Sequence, residues 1–182
     1  MHDAKNDTSR VKDDVWSMTT AKHATHQKMR GMHFLARKYD VGVRLFNEHG
    51  CNMCNAQRGE DFANWIETGE ENRCVVAYNK NDSCSRTLHQ PGGTGMYVSG
   101  EMVQYVKRMS QDGRNLGRWS SCVMWAHPNH KCRIVTAYNI PDSKPEGLMT
   151  NYQQIKRYCQ RKNVDMSPRE FFYHDFPIIR DA

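Results

Sequence analysis

Two polar residues stand where apolar runs end, and they offer the clearest chemistry in this chain. Glu48 follows the run Val41-Gly42-Val43-Arg44-Leu45-Phe46. Tyr138 and Asn139 close the run Ile134-Val135-Thr136-Ala137, just before Pro141. Polar groups at the mouth of a strand sit where sites are usually built. A carboxylate there, inside a basic protein, is a hard oxygen ligand of the kind Mg²⁺ prefers. Read alone, Glu48 is also an ordinary exposed glutamate. His49, Cys51 and Cys54 follow at once with metal-ligand spacing. A structural zinc normally takes two such pairs, however, and Cys74 and Cys84 are scattered, so free cysteines in a loop are the better reading. Arg118 and Trp119 have the types to meet a nucleic-acid backbone and a base; a cation–π pair packing the sheet is an equal alternative. Asn52 and Asn139 join Arg118 as candidate substrate contacts. Gly92, Gly93 and Gly95 lack a following Lys-Ser or Lys-Thr, so they are no P-loop; they suit the close packing of a strand.

The elements that must position these groups are readable from periodicity. Gly117 to Pro141 is a hairpin: two β-rich runs flank a polar turn holding Pro128 and Asn129. Both faces of its second strand are fairly apolar, which predicts an inner strand covered on both sides. Val15 to Thr20 is a first strand, 27–39 a helix and Val41 to Phe46 a second strand, together a βαβ-like unit. Arg44 is awkward there, since a buried unpaired charge is costly; a place at an edge would relieve it. Residues 51–72 form a polar connection with a helical turn at 62–66. Further strands fall at 74–78 and 93–99, and 101–109 is a strand or a short helix. After a loop at 142–147, Leu148, Met149, Tyr152, Ile155, Tyr158 and Cys159 recur at helical spacing, with Gln153, Lys156, Arg157, Gln160 and Arg161 on the polar face. Ser167-Pro168-Arg169-Glu170 is a capping box opening a helix with Phe171, Phe172 and Phe176. His174 and Asp175 are sequence neighbours, which a helix points apart, so they are no catalytic pair.

The whole composition bounds the answer. The 182 residues contain 38% hydrophobic and 10% aromatic residues, enough for one domain with a sizeable core. Residues 1–14 read as a disordered polar tail and 15–182 as the domain. Mean hydropathy is −0.86. No run has the length of a membrane span, and Met1 to Asp7 is no signal peptide. With seven cysteines, an odd number, the reading is an intracellular protein with reduced thiols, cytoplasmic or nuclear. A net charge of +6 favours a polyanionic partner.

The ordered set of motifs resembles the endonuclease/exonuclease/phosphatase superfamily, the fold of pancreatic deoxyribonuclease and the abasic-site endonucleases. Val135-Thr136-Ala137-Tyr138 with Pro141 resembles its Tyr-bearing strand. Leu45-Phe46-Asn47-Glu48 resembles the strand whose Glu binds the metal. Gly92 to Gly95 with Met96-Tyr97-Val98 resembles the next core strand. Leu116-Gly117-Arg118-Trp119 is similar to a variant in reverse-transcriptase-associated and mobile-element nucleases. The resemblance spans roughly residues 15–176 and implies an α+β fold, a two-layer β-sandwich flanked by helices, of which about the first half is here. It implies a hydrolase that cuts phosphodiesters in nucleic acid, DNA rather than RNA, with Mg²⁺ as cofactor and Mn²⁺ as the alternative. Glu48 would hold the metal and Tyr138 would hydrogen-bond the phosphate. Two departures stand out. Thr19 and Thr20 occupy the neighbourhood of an expected Asn, and Gly-Asp-x-Asn and the Asp-His pair are missing, so the domain reads as truncated at its C-terminus. The alternative is a degenerate, inactive basic module that at most binds nucleic acid.

Overall fold

Alternation of side chains along each strand builds two sheets that face one another. In the computed structural model, which describes residues 15–18, 31, 34–55, 72–81, 90–127, 130–140 and 150–181, the first sheet contains β1 (Val15–Met18), β2 (Val43–Asn47), β3 (Asn72–Ala77) and β4 (Thr94–Ser99). Its spatial order is β1-β2-β4-β3. β1 and β2 run parallel, while β4 runs antiparallel to both β2 and β3. A 3₁₀ helix, Gly100–Tyr105, leads into β5 (Val106–Gln111), so the stretch read as strand or helix is one after the other. β5, β6 (Trp119–His127) and β7 (His130–Ala137) form the second sheet in that order, all antiparallel.

The core lies between the sheets. Val43 and Leu45 of β2, and Met96 and Val98 of β4, meet Val106, Cys122 and Met124 of the second sheet. β4 is buried along its whole length, and Gly95 makes that possible: a Cβ there would lie 2.3 Å from the Phe46 ring. A second cluster joins the helices to the sheet ends. α1 (Asn151–Arg161) and α2 (Pro168–Asp181) bring Ile155, Tyr158, Cys159 and Phe171 against Leu116 and Ile140. Thr150 caps α1 by accepting from the Gln153 N–H at 3.3 Å. The capping box of α2 is formed as expected: the Glu170 N–H donates to Ser167 Oγ at 3.2 Å, and the Ser167 N–H to Glu170 Oε2 at 2.8 Å. The architecture is therefore α+β, with two packed sheets and helices at one end.

Two expectations are corrected. β7 is not an inner strand: among the described residues it pairs only with β6, and its first three residues are exposed. The cations Lys131 and Arg133 on this edge are a common device against edge-to-edge pairing. Arg44 does not escape to an edge either. It is 4% exposed on an inner strand, donates to Ser99 Oγ at 3.0 Å and stacks 4.7 Å from the Tyr97 ring centroid. It also lines a groove of about 620 Å³ with Arg37, Asp40 and Glu101, beside the start of β2. The 1–14 tail, Thr19, Thr20, the 62–66 turn and the 142–147 loop lie outside the described residues. Among the described residues no helix is long and apolar enough to cross a membrane.

Candidate functional site

The loop after β2 is held in place by its own backbone and by one histidine. The Glu48 N–H donates to the Gly93 carbonyl at 2.7 Å, and the Gly50 N–H to Gly92 at 3.2 Å. His49 is 1% exposed. Its Nδ1 accepts from the Cys51 N–H at 3.1 Å, which leaves the proton on Nε2, 3.2 Å from the Ala77 carbonyl that accepts it. Burial, only partly opposed by that bond, pushes His49 down to about 4, so the ring is neutral. Gly93 is needed beneath the ring: a Cβ would sit 2.2 Å from Nε2, and φ is +90°. With both ring nitrogens committed, His49 is no zinc ligand. Cys51 is buried and its thiol donates to the His49 carbonyl at 3.4 Å. Among the described residues no group of three His, Cys, Asp or Glu side chains is placed to hold a metal.

Glu48 itself takes an unusual backbone. Its φ is +53°. The other described non-glycine residues with positive φ are Asp40, Asn115 and Asn163. Asn and Asp tolerate this region; a glutamate there is strained, and strain of this kind gathers at functional sites. The turn aims the half-buried carboxylate across the gap between the sheets. The Tyr138 hydroxyl, 90 residues away, donates to Glu48 Oε1 at 3.2 Å. Tyr138 is fixed by its own N–H, which donates to the Arg118 carbonyl at 2.8 Å and continues the β6–β7 ladder. Just before it, Thr136 donates to the side-chain carbonyl of Asn47, a second bond between the two strand ends. Burial, then the neighbouring Glu48 charge, pushes the Tyr138 phenol up to about 12. It therefore remains a protonated donor through the neutral range.

The structure brings Glu48 and Tyr138 together and places the other candidates elsewhere. Asn52 is 1% exposed, and its side-chain oxygen accepts from the Cys54 N–H at 3.1 Å, an Asx turn that shapes the loop. Asn139 is exposed and donates to the Tyr173 hydroxyl on α2 at 3.2 Å. Arg118 is corrected from surface contact to buried tie. It is 1% exposed and forks onto Asp112 at 2.8 and 2.9 Å, and it reaches Asp175 at 2.8 Å. Its guanidinium lies 4.9 Å from the Phe171 ring centroid, so the cation–π partner is Phe171. Asp112 also accepts from the backbone N–H groups of Arg114, Leu116 and Arg118. Burial alone would raise Asp175, but hydrogen bonds from Arg114 and Arg118 outweigh it and hold the carboxyl below its usual range. Asp112 and the Asn47–Thr136 pair escaped the sequence reading, and Asp175, expected to point away from His174, lies with Oδ1 3.5 Å from His174 Nδ1. The one local signal was Asp112-Gly113, a turn dipeptide.

Comparison of the sequence with protein-family models and with curated proteins finds no match.

Proposed function

We propose that this chain is a metal-dependent phosphodiester hydrolase domain acting on nucleic acid, DNA in preference to RNA, with a deoxyribonuclease-like sandwich as its architecture. The observation that carries the reading is the Tyr138–Glu48 hydrogen bond. Two strand-end residues, on different sheets and 90 positions apart, meet at one mouth. The strained backbone at Glu48 supports it too, since stability alone would favour Gly or Asn at that position.

Glu48 would hold Mg²⁺ or Mn²⁺. A single half-buried carboxylate fits Mg²⁺, which keeps several waters and takes one or two protein carboxylates alongside substrate phosphate. Bound there, such an ion supplies charge neutralisation at the phosphoryl group and activates water. Tyr138 would supply a neutral O–H at the same place, exchanging its hydrogen bond to Glu48 for one to a phosphoryl oxygen. Thr136 and Asn47 hold the two strand ends in register, so the phenol has only to turn its one O–H from Glu48 Oε1 toward the phosphate.

A second reading, a basic module that binds nucleic acid without cutting it, rests on the net charge of +6, which favours a polyanionic partner whether or not it is cut. Cleavage of an end-labelled DNA duplex separates the two. The hydrolase reading expects cuts in Mg²⁺ and none in EDTA. Retention of uncut DNA by a cooperatively melting sample in Mg²⁺ would favour the module.

A further inference from the structure

The register of the second sheet sorts its side chains onto two faces. Val106, Met109, Cys122, Met124 and Ile134 turn to the core, so the alternate residues turn outward. In one cross-strand row Arg108 and Arg133 flank Val123. In the next row Lys131 stands opposite Trp125. Lys107 lies in the bulge beside Arg108, where both side chains of the bulge face the same way. Trp125 is 37% exposed, with Lys131 Nζ 4.8 Å and Lys107 Nζ 5.6 Å from its ring centroid. β5, β6 and β7 contain no Asp or Glu. The result, among the described residues, is a part-exposed indole flanked by two lysine headgroups, with two arginines in the neighbouring row of the same face.

We propose that this face binds single-stranded nucleic acid, with a base stacked on Trp125 and phosphates neutralised by Lys107, Arg108, Lys131 and Arg133. The charge is complementary to a polyanion, and an exposed indole gives a stacking platform that accepts any base. A base arriving on the ring moves a lysine headgroup from the indole face to the phosphate the base carries. A duplex fits poorly: its bases are paired and stacked inward, so a side chain on a flat sheet meets only backbone. By strand rise, Lys131 is roughly 20 Å along β7 from Tyr138. The surface is thus separate from the Glu48–Tyr138 pair and does not rest on the hydrolase reading.

The test is fluorescence anisotropy of a labelled oligothymidylate, and of a labelled duplex of equal length, in EDTA at several salt concentrations. The single strand is expected to bind more tightly than the duplex. Trp125→Ala weakens single-strand binding roughly tenfold, and Trp125→Phe weakens it less, since a smaller ring still stacks. The double variant Lys107→Gln/Lys131→Gln lowers the salt slope by about 1.4, the value for two lost single-strand phosphate contacts. If the lysines only cover the indole, Trp125→Ala and Trp125→Phe lower the melting temperature and bind like the parent, which overturns the proposal. Tighter binding of the duplex, with no dependence on Trp125, overturns it as well.

Discussion

Glu48 shows what a single residue gives up for a position. Its backbone at φ +53° is strained, while its carboxylate receives the Tyr138 hydroxyl at 3.2 Å. The two effects separate in a Tyr138→Phe background, where no hydrogen bond is left to lose. There Glu48→Asn should raise the melting temperature by roughly 2–4 °C, corresponding to about 1 kcal/mol of relieved strain; a fall would contradict the strain. His49 makes a second prediction at this scale. Its folded value of about 4 lies below the ordinary 6.5 of histidine, so the unfolded chain binds more protons between these pH values. Stability is therefore full above pH 6.5 and declines as the pH falls toward 4, by on the order of 3 kcal/mol. Urea titrations across that window should show the decline in the parent, and a shallower one in His49→Gln. Glu48 and Tyr138 were legible in the sequence because each closes an apolar, strand-like run. Their contact was not, because it depends on how two sheets pack, which no local pattern encodes.

At the scale of elements, one buried ion network ties α2 to the turn between β5 and β6. Arg118, Asp112 and Asp175 are each under 5% exposed. A buried charge that loses its partner is costly, so Asp175→Ala should destabilise by about 3 kcal/mol, with Asp112 still holding Arg118. Thermal melting should show a drop of roughly 6–12 °C, and a drop within 2 °C would mean α2 docks through Phe171 and its apolar neighbours alone. The elements themselves were readable. The hairpin, the strand before Glu48, the capping box at Ser167 and the helix through Ile155 all carry local signals. The fate of Arg118 was not readable, because one of its partners lies 57 residues away. β7 misled for a related reason: an edge strand differs from an inner one in its hydrogen-bonding partners, which its half-buried Val135 and Ala137 do not reveal.

For the whole molecule, two sheets packed face to face bring one strand end from each sheet to a common mouth. The apolar alternation that stabilises the core thereby also sets the two polar ends side by side. On the proposed function, Glu48 and Tyr138 act there as one phosphodiesterase unit. The most direct measurement is the rate of Mg²⁺-dependent nicking of supercoiled plasmid by the parent, Glu48→Gln, Tyr138→Phe and the double variant, each first shown to melt cooperatively. That function predicts nicking by the parent that EDTA abolishes. It predicts losses of roughly 10²-fold or more in each single variant, and a double variant no slower than the worse single, because residues acting as a unit are not additive. A folded parent that does not nick, or a Glu48→Gln variant that nicks as fast as the parent, would contradict it.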